Sequence, residues 1–103
     1  MTVIRREDFI QSIADAFQYI SVYHPLDFID AIHAAYRREE SPAAKDALAQ
    51  ILVNSRLCAE GRRPICQDTG MAVVFLRIGE DVRFEAGLSL QAMVDEGVRR
   101  AYT

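Results

Sequence analysis

The sequence has few cysteines and no long hydrophobic run, and both features exclude classes of protein. Its 103 residues include two cysteines, Cys58 and Cys66, which are too few for the disulfide framework of a small secreted domain. No apolar stretch approaches the ~18 residues of a membrane-spanning helix. The N-terminus also lacks the basic-then-apolar layout of a secretory signal. These absences predict a cytoplasmic protein that has no membrane partner.

An excess of basic residues is missing as well. The sequence has 12 Lys and Arg residues and 15 Asp and Glu residues, which gives a net charge of −3. Neither nucleic acid nor an anionic membrane is therefore expected as a partner. His24 and His33 do not stand at the spacing from Cys66 that a zinc site requires, and both are expected to lie on helix surfaces. The length fits one domain at most.

The first sixty residues follow helical spacing. Apolar side chains recur every three or four positions from about residue 6 to 22, which predicts an amphipathic helix. Pro25 fits the first turn of a second helix. A third helix is predicted from its ends, with Ser41 as the N-cap, Pro42 as the first helical residue and Gly61 as the closing residue.

The pattern changes after Gly61. Residues 62–70 are predicted to form a loop, and the apolar, partly β-branched run 71–78 is predicted to form a buried strand. Residues 79–81 favour a turn into a short strand at 82–85. The chain after Gly61 is therefore expected to contribute a short β-strand or hairpin.

The last segment predicts a C-terminal helix that Ser89 caps. The expected fold class is therefore α+β, with three N-terminal helices, a loop leading into the buried strand or hairpin, and this final helix. No glycine or proline stops the helix before Thr103. This helix is therefore expected to be cut off at Thr103 rather than finished.

The two cysteines have different surroundings. Cys58 shares the apolar face of the third helix and is expected to pack in the core as a small hydrophobic residue. Cys66 follows Arg62 and Arg63 in the predicted loop and precedes the polar run 67–69. Basic neighbours are typical of thiols that attack electrophiles or bind metals. On local chemistry alone, however, an unreactive thiol is the better interpretation.

The triplet Asp68-Thr69-Gly70 raises the alternative of an aspartic protease, which carries the same triplet. Two such loops would have to share a proton between paired carboxylates. Those enzymes are built from strands and place the triplet after an apolar strand, whereas here three predicted helices and Ile-Cys-Gln precede it. The sequence therefore disfavours that class.

The stretch "RPICQDTG", running into an apolar segment, resembles the cluster-binding loop of class I fumarate hydratases, the iron–sulfur hydro-lyases. The related tartrate dehydratases share this pattern. The resemblance extends over essentially the whole chain, including "ILVNSRLCAEGRRPICQDTG" and the closing "MVDEGVRRAYT". No role in that family falls on Cys58.

The resemblance implies the site residues and the cofactor. Cys66 would be one of three cysteine ligands of a [4Fe–4S] cluster, which leaves one iron open as a Lewis acid. Gln67 and Asp68 would bind substrate, and Asp68 would also be catalytic. Thr69 and Gly70 would shape the turn. The complete enzyme would hydrate fumarate reversibly to (S)-malate and would be a homodimer.

Three further expectations follow. Because two of the cluster ligands would lie beyond residue 103, residues 1–103 would be the N-terminal segment of the iron–sulfur hydro-lyase catalytic domain, a larger α/β domain. The isolated chain should then have neither activity nor a stable cluster. Tartrate dehydration by the same chemistry is the nearest alternative. A non-catalytic helical module that binds a partner through an exposed apolar face is the alternative from a different class.

Overall fold

Helices dominate the computed structural model, which describes residues 1–66 and 71–103. The elements in chain order are β1 (Thr2–Ile4), α1 (Arg6–Val22), α2 (Leu26–Arg38), α3 (Pro42–Gly61), β2 (Val82–Phe84) and α4 (Leu90–Ala101). The predicted α+β class is confirmed. None of the helices in the described ranges combines the length and the apolar character that crossing a bilayer would require.

The predicted starts of the third and last helices are confirmed with their caps, whereas Pro25, predicted in the first turn of the second helix, is instead the extended residue just before Leu26, with ψ 149°. The Ser41 hydroxyl accepts a hydrogen bond from the Ala44 amide at 3.5 Å, and α3 begins at Pro42. The Ser89 hydroxyl accepts one from the Ala92 amide at 3.1 Å, at the start of α4. A hydroxyl at this position satisfies an amide that has no partner within the helix, which is why serine marks both starts.

The chain forms two compact units. The first unit contains β1, most of α1, β2 and α4. The strands β1 and β2 are parallel, with Thr2 opposite Val82 and Ile4 opposite Phe84. The Phe9 ring on α1 packs edge-on against Phe84, with centroids 5.2 Å apart. β1 had no sequence prediction, because three residues give too short a pattern to recognise.

The core of the first unit lies between α1 and α4. Its buried side chains are Ile10, Ala14, Phe17 and Met93. The two helices approach closely at Gly97, where an added Cβ would lie 2.6 Å from the Ile13 Cβ and 2.9 Å from the Ile10 carbonyl oxygen. Arg100 of α4 adds an ion pair to Glu7 of α1, with Nη1 and Oε1 2.5 Å apart.

The predicted buried strand at 71–78 is wrong. These residues have no strand hydrogen bonding, and most are exposed: Met71 is 84% accessible and Phe75 is 93% accessible. The predicted short strand at 82–85 is confirmed as β2, but in the described residues it pairs in parallel with β1 rather than forming a hairpin with 71–78. A strand needs a neighbouring strand to complete its hydrogen bonds, and among the described residues this run has none.

The second unit contains the end of α1, α2, α3 and the segment after α3. Helices α2 and α3 pack against each other. The Lys45 ammonium of α3 lies 4.5 Å from the centre of the Tyr36 ring on α2. The buried residues of α3 are Ser55 and Cys58. Of the two, Cys58 contacts Pro64, in the segment leading to Cys66.

Candidate functional site

The route to Cys66 begins at the C-terminal end of α3. The helix ends at Gly61 as predicted, but the residue in the left-handed conformation is Arg62, with φ 53° and ψ 50°. The amides of Arg62 and Arg63 both donate to the Cys58 carbonyl. Glycine is the usual residue in this conformation, whereas here Gly61 is the last helical residue and Arg62 adopts the conformation.

The segment after this turn lies beside α3. The Ile65 amide donates to the Ser21 carbonyl at the end of α1, over 2.8 Å. The Asn54 side-chain amide donates to the Ile65 carbonyl over 3.0 Å. The Cys58 thiol lies 3.4 Å from the Pro64 carbonyl oxygen. Residues 64 and 65 are thus held by groups from α1 and α3.

Cys66 follows this anchored segment directly, and its thiol is free and exposed. An exposed thiol on a held backbone is suited to bind a group that approaches from outside. Gln67 and Asp68, the predicted substrate-binding and catalytic residues, lie outside the described residues, as do Thr69 and Gly70. Their roles therefore stay predictions.

Cys58 is the opposite case. Its side chain is only 7% accessible, and its thiol lies against the Asn54 side-chain oxygen at 3.6 Å and the Pro64 carbonyl. The prediction that Cys58 packs in the core is confirmed. Because its sulfur faces protein groups, Cys58 does not fit as a ligand of the same group as Cys66.

The described residues offer one candidate ligand for an iron–sulfur cluster, the exposed thiol of Cys66. Nowhere in residues 1–66 and 71–103 do three His, Cys, Asp or Glu side chains come close enough to hold a metal ion. A four-iron cluster needs cysteine ligands on several of its irons. Among the described residues, Cys66 is the exposed cysteine that could hold such a cluster, and the other ligands would have to come from elsewhere.

His24 is placed differently from the prediction that both histidines lie on helix surfaces. It lies between α1 and α2, half-buried, with its Nδ1 2.9 Å from the Ser55 hydroxyl. Its ring stacks on Phe28 with centroids 4.6 Å apart. His33 is exposed on α2, as predicted. The His24–Ser55 contact joins residues 31 apart, and nothing in the sequence pattern signals it.

Comparison with known proteins identifies the family to which the chain belongs. Residues 10–103 match the family model described as fumarate hydratase (Fumerase). The chain belongs to the fumarate hydratase family. A curated relative from Methanocaldococcus jannaschii, named "Putative L(+)-tartrate dehydratase subunit alpha", is 33% identical over 89 residues. The match covers 86% of this chain but 31% of the relative, so the chain spans about a third of that relative's length. The resemblance seen in "RPICQDTG" is thereby confirmed.

Proposed function

We propose that this chain is the N-terminal part of an iron–sulfur hydro-lyase that reversibly hydrates fumarate to (S)-malate. In this proposal Cys66 is one of three cysteine ligands of a [4Fe–4S] cluster. The observation that carries it is the exposed Cys66 thiol on a backbone segment held by α1 and α3, in a chain of this family. The enzyme is proposed to be cytoplasmic and homodimeric.

The cluster would supply an iron with an open position, which acts as a Lewis acid on a carboxylate and a hydroxyl. The residues of this chain orient the substrate beside it. The Gln67 amide is suited to donate to a substrate carboxylate oxygen. The Asp68 carboxylate is suited to accept the hydrogen of the substrate hydroxyl, or to hold an arginine that binds substrate.

The remaining cluster ligands come from outside this chain in the proposal. The support is that one cysteine fits, and that the curated relative is about three times as long as the matched region. The isolated chain, reconstituted anaerobically with iron and sulfide, should show no charge-transfer absorption and no hydratase activity. A stoichiometric cluster in the monomeric chain would contradict the proposal.

Replacement of Cys66 tests its assignment. In the complete enzyme, Cys66→Ser should lose both the cluster absorption and the turnover. Cys58→Ser is the matched control, because it replaces the other thiol by a hydroxyl that can still donate to the Pro64 carbonyl; it should keep the cluster. A Cys66→Ser enzyme with full cluster content and activity would rule out Cys66 as a ligand.

Replacement of Asp68 tests the catalytic assignment separately. Asp68→Asn keeps the size of the side chain and removes its charge, so the enzyme should keep its cluster and lose most of its turnover. Iron content and the rate of fumarate hydration measure the two effects. Full wild-type turnover would remove Asp68 from the mechanism.

Tartrate dehydration is the second candidate, and the name of the relative from Methanocaldococcus jannaschii favours it. The two reactions use the same removal or addition of water next to a carboxylate. Initial rates of the complete enzyme on fumarate, (S)-malate and L(+)-tartrate separate them. Turnover of tartrate with none of fumarate would replace the first proposal, and activity on none of the three would favour the non-catalytic module.

A further inference from the structure

The side chain of Asn54 connects α3 to the peptide group that precedes Cys66. Its Nδ2 donates to the Ile65 carbonyl at 3.0 Å, and its Oδ1 lies 3.6 Å from the Cys58 sulfur. A carbonyl can only accept a hydrogen bond and a thiol can donate one. The two contacts therefore fix which end of the Asn54 amide faces the Ile65 carbonyl.

Holding the Ile65 carbonyl constrains Cys66 directly. A peptide group is planar, so the carbonyl oxygen of Ile65 and the backbone nitrogen and Cα of Cys66 lie in one plane. The Ile65 amide is held independently by the Ser21 carbonyl at 2.8 Å. With both polar groups of Ile65 bonded, the direction in which the chain enters Cys66 is set before any ligand arrives.

Among the contacts that hold residues 64 and 65, the Asn54 hydrogen bond is the one that a side-chain substitution removes most cleanly. The Ser21 contact uses backbone atoms on both sides, which side-chain replacement leaves in place. The Cys58 contact with Pro64 is a long sulfur interaction at 3.4 Å, and thiols are weak donors. The Asn54 amide is thus the side-chain donor that orients the peptide plane of Cys66.

We propose that Asn54 is a positioning residue for Cys66, orienting the thiol for cluster binding. This inference rests on the proposed function, because it assumes that Cys66 is a ligand. Partners that orient a metal ligand typically change metal affinity or activity by about 10–100-fold when they are replaced. A purely structural Asn54 on the surface of α3 would leave the cluster unaffected.

Two substitutions of Asn54 test the proposal in the complete, cluster-loaded enzyme. Asn54→Asp keeps the shape but replaces the donor by an oxygen that repels the Ile65 carbonyl, and Asn54→Ala removes the side chain. Both variants should bind the cluster about 10–100-fold more weakly than wild type, seen as a faster decay of visible absorption when an iron chelator is added. The electron paramagnetic resonance signal of the reduced cluster should change in shape.

The matched control is Gln50→Ala, one helical turn before Asn54. The Gln50 amide donates to Asp46 at 2.9 Å rather than to the Cys66 segment. This variant should release its cluster at the wild-type rate. Circular dichroism confirms that every variant is folded, and the Asn54→Ala variant preserves the test if Asn54→Asp fails to fold.

The outcomes separate this inference from the proposed function. If Cys66→Ser keeps its cluster, the ligand assignment fails, and the role of Asn54 fails with it. If Cys66→Ser loses the cluster while both Asn54 variants release theirs at the wild-type rate, the positioning role alone is refuted. Equal acceleration in Gln50→Ala would also refute it, since any change on this face of α3 would then act alike.

Discussion

The close approach of α1 and α4 at Gly97 predicts that Gly97→Ala destabilises the chain. A Cβ at this position would lie 2.6 Å from both the Cβ and the Cγ2 of Ile13, and 2.9 Å from the Ile10 carbonyl oxygen. Carbon atoms in ordinary contact lie about 3.5–4.0 Å apart. The obstructing atoms are a β-branched side-chain stem and backbone, so the helices must separate by about 1 Å.

Two opposing terms set the size of the effect. Overpacking a well-packed core costs typically about 1–3 kcal/mol, and the upper half of that range applies because the obstacle is rigid. Alanine recovers about 1 kcal/mol of helix propensity relative to glycine. The net loss is about 1–2 kcal/mol in the free energy of unfolding, or roughly 5–15 °C in Tm for a domain of this size.

Urea denaturation and thermal melting, followed by far-ultraviolet circular dichroism, measure this loss. Gly61→Ala is the matched control, since Gly61 is also helical but an added Cβ there would be no closer than 3.7 Å to the Arg63 side chain. The control should be neutral or slightly stabilising. Wild-type stability of Gly97→Ala would refute the packing of α4 on α1.

Two further changes test the ends of the helices. Hydrogen bonds from Arg99 and then Arg100 hold the pKa of Glu96 at about 2, and a hydrogen bond from Arg100 lowers the pKa of Glu7. The ion pairs of Glu7 and Glu96 therefore stabilise the fold fully above the ordinary pKa of 4.5, and this stabilisation is lost as the pH falls towards 2. Arg100→Gln should make Tm fall less steeply between pH 4.5 and pH 2. An unchanged slope of Tm against pH would contradict the assignment. Arg62→Gly should raise the free energy of unfolding by about 0.5–1 kcal/mol, because glycine adopts the left-handed conformation without strain. A lower free energy of unfolding in urea denaturation would contradict the φ of 53°.

The helices could be predicted because their signals are local. Apolar periodicity and the serine caps at Ser41 and Ser89 depend on residues within a few positions of one another. The burial of Cys58 followed from the same periodicity. The left-handed conformation of Arg62 was not predicted, because glycine is the usual residue in that conformation.

The strands and the polar contacts depend on residues far apart in the sequence. The run 71–78 has strand-like composition, but a strand also needs a partner, and the described residues give it none. The His24–Ser55 contact and the Asn54–Ile65 bond join residues 31 and 11 apart. The candidate site residues came from the resemblance to a family, which named Cys66, Gln67 and Asp68 but could not show the contacts of Asn54 and Ser21 that hold the segment before Cys66.

The chemical reactivity of Cys66 in the loaded enzyme tests the central claim most directly. A thiol that ligates iron is not free to react with an alkylating agent, and Cys66 is otherwise exposed. Brief treatment with iodoacetamide, followed by mass spectrometry, should leave Cys66 unmodified in the cluster-loaded enzyme and modify it once a chelator has removed the iron. Buried Cys58 should react in neither state. Equal modification of Cys66 with and without the cluster would contradict its role as a ligand.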